Sequence, residues 1–239
     1  MRTPYGFLIF QAVMAVAQTM LYFSIDSAPS GRSNNTMGIE YAALIILSYL
    51  IGSIPSGLIV AKMMGGSDPR ESGSGNIGAT NVLRTLGKKA GAYTLVGDAL
   101  KGLVPVLAAM IIFPGTPLII FLAAGGAILG HDFSIFLKFH GGKGVATTFG
   151  CMAGLNPGLA GLVLATWIVV VAVTRYSSAG AIVAALLSPV FAATVFHNLP
   201  LVFFCVAAAL LLTFLHRENL KRLSDGTEKR VSQSLSSEA

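Results

Sequence analysis

Charge is scarce in this chain. Asp, Glu, Lys and Arg make up 11% of its 239 residues, against roughly 25% in ordinary soluble domains. With 54% hydrophobic residues, that deficit excludes a water-soluble globular enzyme and a disordered chain alike. Cysteine is nearly absent as well. Cys151 and Cys205 both lie in apolar runs, without the spacing of a metal site or a disulfide framework, and read as small buried apolar residues. Acidic groups are the scarcer charge: ten Asp+Glu against sixteen Lys+Arg leave a net +6. In so apolar a chain this surplus marks positive-inside loops on an anionic leaflet, not a nucleic-acid surface. No metal-ligand cluster or cofactor motif is visible, so neither metal nor cofactor is expected.

What the sequence has in quantity is long apolar segments. They run over residues 5–25, 41–64, 91–113, 117–136, 143–155, 158–173, 178–196 and 199–216. At about 20 residues per span, this predicts an all-α polytopic bundle of seven core helices, preceded by a segment whose status is open. That first segment (5–25) reads equally as an extra helix, a signal-like leader or the product of an upstream start, since Met37 stands just before the second segment. The expected organisation is an N-terminal extension over 1–37, a membrane domain over 38–223, and a polar Ser-rich tail over 224–239 that frays. Residues 143–155 are too few to cross unaided and are expected as a short helix sheltered by its neighbours.

The basic residues fall into four groups. The first spans Lys62 to Lys101, the second is Lys138 and Lys143, the third Arg175, and the fourth the tail from Arg217 to Arg230. If seven spans alternate, all four lie on one side. The opposite connections, near 114–117, 156–157 and 197–200, contain no Lys or Arg. The positive-inside rule then makes the basic loops and the C-terminus cytoplasmic.

Two of those loops are too rich in glycine to be plain connectors. Residues 72–84 read SGSGNIGATNVLR. Alternating glycines leave backbone N–H groups free to converge on an anion, Ser74, Asn76, Thr80 and Asn81 add side-chain donors, and a helix starting near Ala79 points its N-terminus at the same spot. Residues 130–148 read GHDFSIFLKFHGGKGVATT. Here Gly141, Gly142 and Gly144 permit close backbone approach, Lys143 supplies a point charge, and a short apolar helix opens at once. That is a phosphate site in physical terms, but not a Walker A loop, because Leu137 stands where its first glycine would be. Asp98 and Lys101 are spaced to pair on one helix face near its cytoplasmic end. Arg175 to Ser178 interrupt two apolar spans. His216 and Asn219, three apart, share a helix face at the end of the last span. The expected ligand is a phosphorylated molecule alongside a lipid chain drawn from the bilayer.

Several blocks carry a family resemblance: GSIPS at 52–56, the stretch 73–84, DALKG at 98–102, the stretch 130–147, RYSS at 175–178 and HREN at 216–219. In this order they closely resemble the PlsY family, bacterial acyl-phosphate:glycerol-3-phosphate acyltransferases. The resemblance spans residue 40 to about 230 and leaves the first 36 residues outside. It implies a seven-helix inner-membrane enzyme moving a fatty acyl group from acyl phosphate to glycerol 3-phosphate, with lysophosphatidic acid and phosphate as products. It implies that Arg84 and Lys143 neutralise phosphate groups, that Ser74, His216 and Asn219 hydrogen-bond and orient the substrates, and that Ser178, with Ser177 adjacent, contacts substrate. Gly141, Gly142 and Gly144 would let backbone reach the acyl phosphate, and Asn76 lies in the substrate-binding loop. Ser134, where the family commonly has proline, is expected to loosen the turn after His131.

None of the four histidines has Asp five positions later, so the His-x4-Asp device of acyl-CoA-using glycerolipid acyltransferases is missing. Acyl phosphate is already activated, and the expectation is substrate-assisted catalysis, with the donor's own phosphate accepting the proton. A transporter of phosphorylated metabolites is the runner-up, weakened by the lack of an internal repeat and by motifs lying on one side. A non-catalytic lipid-binding subunit leaves the motif density unexplained.

Overall fold

The computed structural model describes residues 34–231. The first apolar segment, 5–25, and the last residues of the tail lie outside them. Among the described residues the fold is helical, without strands: α1 (Asn34–Ser53), α2 (Ser56–Met63), α3 (Ala79–Ile112), α4 (Pro117–Asp132), a 3-10 turn (Ile135–Leu137), α5 (Val145–Leu155), α6 (Pro157–Thr174), α7 (Ser177–Thr194), α8 (Leu199–Leu215) and α9 (Arg217–Ser224). Helices α3, α6 and α7, and α4 together with the 3-10 turn after it (Pro117–Leu137), are long and apolar enough to span a bilayer, and the bent pairs α1–α2 and α8–α9 pass as broken spans. Outward-facing Ile111 and Val173, each 79% exposed among the described residues, belong to an apolar exterior suited to lipid.

Three of the expected segments differ from the observed helices. The stretch 41–64 is not one straight span: α1 and α2 meet at 43°. Pro55 lacks an N–H and pushes Ile54 out of the helical region. The carbonyls freed there are satisfied from other helices, Ser53 O by the Ser134 hydroxyl at 2.6 Å and Ile54 O by Lys101 Nζ at 2.9 Å. Ser134 thus ties its turn to α1 instead of loosening it. The apolar run expected from 91 belongs to one helix with the start expected near Ala79. Its charged first turns include Arg84, Lys88 and Lys89, and a break at Gly87 (φ 85°) falls between Arg84 and the two lysines that open the apolar run. Finally, α4 stops at Asp132 instead of running to 136.

Helix α5 is 11 residues long, about 16 Å at 1.5 Å per residue, half a bilayer core. It is sheltered by α3. A Cβ on Gly102 would fall 2.1 Å from Thr147 O, and one on Gly150 would fall 2.0 Å from Ala99 O, so the two backbones touch. The same device joins α1 to α4, where Gly52 faces Ala127 O and Gly130 faces Tyr49 O, each at 2.1 Å. Small residues permit such approach in membranes. Gly126, Gly158 and Gly180 are also closely packed, whereas among the described residues Gly125 and Gly161 have nothing within 4 Å of a Cβ. Gly130→Ala is therefore expected to cost about 1–3 kcal/mol by overpacking and to lower the thermal midpoint in detergent. Gly161→Ala should leave it unchanged, and equal midpoints would contradict the packing argument.

α3 packs chiefly on α4, α5 and the α1–α2 pair, while α7 packs between α6 and α8. The seam between these two groups, at the end carrying the glycine-rich loops, holds the site.

Candidate active site

The loop before α3 is shaped by one buried side chain. Asn81 Oδ1 accepts from Ser74 N at 2.7 Å, and Asn81 Nδ2 donates to the carbonyls of Pro69 (2.7 Å), Ser72 (3.2 Å) and Asn76 (2.8 Å). Asn76 Oδ1 in turn accepts from Gly78 N at 2.8 Å. Asn81, expected as a donor to a ligand, is spent on the loop itself. Its reward is a fixed turn that presents Ser74, Asn76 and the start of α3 to a cavity of about 720 Å³.

Lys143, Gly144 and the first residues of α5 line the same cavity, as do Ser177 and Ser178 at the start of α7. Three helix N-termini therefore converge, and the first N–H groups of a helix have no partner within it. Arg84, His216, Asn219, Arg222 and Lys229 complete the mouth. Below it the wall becomes apolar, with Met152, Trp167, Ala181, Ala185, Ala208 and Leu212 among its residues. One chamber thus joins a cationic, N–H-rich mouth to an apolar interior.

Hydrogen bonds hold the mouth together. Lys143 Nζ donates to Asn219 Oδ1. Asn219 Nδ2 donates to Glu228 Oε1 at 2.6 Å, Ser178 Oγ to the same oxygen at 2.8 Å, and Arg222 Nε to Glu228 Oε2 at 2.7 Å. Arg84 Nη2 donates to Lys229 O at 2.8 Å. His216 Nδ1 bonds Leu212 O at 2.9 Å. A carbonyl only accepts, so Nδ1 carries the proton and Nε2 is left for an occupant of the cavity. Helix α8 ends at Leu215 and bends by 60° into α9. His216 and Asn219 thus meet around a corner, not along one straight helix face. Burial pushes the Lys143 ammonium below the usual lysine range, and the Arg222 charge adds to that. Burial raises the Glu228 carboxyl, but hydrogen bonds from Arg222, Asn219 and Ser178 outweigh it and hold it below the usual carboxylate range.

Glu228 is the residue the sequence concealed. It lies in the stretch expected to fray, yet it is buried, and the backbone beyond it returns to the bundle through Val231 N to Arg175 O at 2.9 Å. A polar tail with no periodicity carries no signal for such a contact. Gly141 and Gly142 also differ from expectation. Their N–H groups donate to Asp132 O (3.1 Å) and His131 O (3.0 Å), and neither lines the cavity. They are glycines because their chain lies directly on the end of α4, where a Cβ would fall 1.9 Å from His131 O and 2.0 Å from His131 Nε2, respectively. Ser178 commits its hydroxyl to Glu228, while Ser177 Oγ stands 3.2 Å from Thr80 Oγ1. The Asp98–Lys101 pair forms as expected, at 3.0 Å, but well inside α3 and not at its end.

These features define a class: an integral membrane protein whose candidate site joins a cationic, N–H-rich mouth to an apolar interior. Known proteins narrow it. The glycerol-3-phosphate acyltransferase family matches over residues 42–226. The glycerol-3-phosphate acyltransferase of Bordetella petrii is 46% identical over 196 residues, covering 80% of this chain and 92% of that one. That of Geobacter sulfurreducens is 49% identical over 189 residues, covering 78% and 95%. Two crystal structures of PlsY (YgiH), an integral membrane glycerol 3-phosphate acyltransferase, also superpose. Its glycerol 3-phosphate form gives a TM-score of 0.76 at 36% identity and its lysophosphatidic acid form 0.74 at 35%, each covering 80% of this chain and 95% of the other. The chain belongs to the PlsY family of glycerol-3-phosphate acyltransferases, and it is a multi-pass membrane acyltransferase.

Proposed function

We propose that this protein transfers a fatty acyl group from acyl phosphate to glycerol 3-phosphate, releasing lysophosphatidic acid and inorganic phosphate as the first acylation of phospholipid synthesis. The observation that carries the reading is the single cavity with a cationic mouth and an apolar interior. The mouth suits two phosphate groups, and the interior suits the acyl chain. In the reaction, the acceptor hydroxyl oxygen forms a bond to the acyl carbonyl carbon, the bond from that carbon to the phosphate oxygen breaks, and the hydroxyl proton passes to the departing phosphate. Arg84 and Lys143 neutralise phosphate charge. Ser74, His216 and Asn219 orient the substrates, Ser178, Asn76 and Gly144 shape the pocket around them, and Gly141 and Gly142 support it from below. The basic loops support a mouth on the cytoplasmic face of the inner membrane by the positive-inside rule. The functional domain read from the sequence as 38–223 is extended here to take in all of α1 from Asn34 and the tail as far as Val231, whose N–H bonds Arg175 O.

The test is phosphate release by the purified protein from acyl phosphate, in excess chelator, with and without glycerol 3-phosphate. Release that requires the acceptor and yields lysophosphatidate is expected. No acceptor-dependent release from folded protein that binds glycerol 3-phosphate would overturn the reading in favour of transport.

A further inference from the structure

Four ionisable side chains lie deep in the bundle beside the Lys143 loop, and the reaction above uses none of them. Asp98 is 2% exposed, Lys101 5%, His131 3% and Asp132 4%. Asp98 and Lys101 are one turn apart on α3 with 3.0 Å between their charged atoms, and Lys101 Nζ is fixed further by Ile54 O at the α1–α2 break. Across the seam to α4, Asp98 Oδ1 lies 3.7 Å from His131 Nδ1. Neither His131 Nδ1 nor Asp98 Oδ1 has a hydrogen-bond partner among the described residues, and Asp98 is an acidic group facing the ring at that distance. Buried ion pairs are weak sources of stability, and ionisable groups inside a membrane are kept where function uses them.

What this group touches is the turn that carries Lys143. The backbone carbonyls of His131 and Asp132 accept from Gly142 N and Gly141 N. The tip of the His131 ring lies against Gly142, and the Asp132 carboxylate lies where a Cβ on Gly144 would fall, 2.7 Å from Oδ1. Backbone bonds clamp the turn from one side, and the ring and carboxylate fill the space beside its glycines. Asp98 and His131 also line the cavity, so the cluster reaches from the helix interior to the wall beside Lys143 and Gly144.

We propose that Asp98, with Lys101 as its fixed partner, holds the His131 ring in the orientation that shapes the Gly141–Gly144 turn, making Asp98 and His131 positioning residues for Lys143. The inference rests on the acyltransferase reading, and the wild-type assay run alongside separates the two: absent wild-type turnover defeats that reading, not this one. The informative variant is Asp98→Asn/Lys101→Met, which removes both charges at once, so that neither member of the pair is left as an ion without the other.

A positioning role and a purely structural role differ in the kinetics. Loss of folded protein lowers the maximal rate and leaves both KM values alone. Displacement of Lys143 raises the KM of the substrate that Lys143 holds. The expected result is a thermal midpoint near that of the wild type, with one KM raised about tenfold or more. It should be the same KM that Lys143→Arg raises, with the other unchanged. Wild-type KM values for both substrates would overturn the proposal. Should the double variant not yield folded protein, His131→Asn decides the matter. It keeps the backbone carbonyl for Gly142 but withdraws the ring, and the same KM must rise. Unchanged KM values there overturn the proposal equally.

Discussion

Lys143→Ala should reduce acceptor-dependent turnover by about 10²–10³-fold, the scale seen when one well-placed donor to developing charge is removed, while leaving the protein folded. The residue stands in the turn ahead of α5, half-buried at the mouth, with its Nζ on Asn219 Oδ1 and the N-terminus of α5 immediately behind it. Its removal leaves no cavity in an apolar core, because the space it vacates belongs to the polar mouth. In the reaction, negative charge gathers on the leaving phosphate, and Lys143 and Arg84 are the cations assigned to it. Arg84 lies on another helix, bonded to Lys229 O, and cannot take over the position. Burial lowers the Lys143 pKa, so wild-type activity should fall on the alkaline side before the ordinary lysine range is reached. Lys143→Arg keeps its charge and should carry that limb to higher pH, even with a raised KM. Initial rates from pH 7 to 10 on both proteins make the comparison. An Ala variant within threefold of wild type, or an alkaline limb that Arg does not move, would remove Lys143 from the role.

The helices were largely legible because the bilayer imposes a blunt rule. About 20 apolar residues are needed to cross it, and the runs ending at Phe113 and starting at Pro117 or Leu199 announce themselves. Legibility failed where hydropathy and backbone disagree. The run 41–64 is apolar throughout, so the 43° bend at Pro55 leaves no trace in its average, although Pro55 itself was in view. At Ala79 the helix start was legible from the loop pattern, but Arg84, Lys88 and Lys89 keep its first turns out of any apolar window, so its continuity with the run from 91 was not. In the site, side chains with a single chemical purpose were readable. Arg84, Lys143, His216, Asn219, Ser74, Asn76, Gly144 and Ser178 all reach one cavity. The backbone was not readable. Glycine in a phosphate-like loop signals either access for a ligand or access for another piece of chain, and composition cannot separate the two. At Gly141 and Gly142 it is the end of α4 that fills the space. Glu228 escaped for another reason: its three partners come from two elements, Ser178 from α7 and Asn219 and Arg222 from α9, that only the folded bundle brings together.

That distinction between ligand and backbone makes Gly141→Ala the second large effect expected. A Cβ at residue 141 would stand 1.9 Å from His131 O and 2.8 Å from Asp132 O. Both are backbone atoms at the closed end of α4, and neither has the freedom of a side-chain tip. The turn must therefore lift away, breaking the bonds from Gly141 N and Gly142 N, and Lys143, two residues on, moves with it. A displacement of about 1 Å at a reacting centre costs on the order of 10²-fold in rate, so kcat/KM should fall by about that factor. The fold should suffer less, since α3 and α5 remain locked through Gly102 and Gly150. Gly142→Ala is expected to be milder in stability, its clash being with the His131 ring and not a carbonyl. It should still raise the KM that Lys143 controls, because a ring pushed aside loses Asp98. Gly161→Ala, with open space around it, serves as the control at wild-type activity. A Gly141→Ala enzyme as active as that control would show that the loop tolerates being moved, and that Lys143 works from a less defined position than the geometry requires.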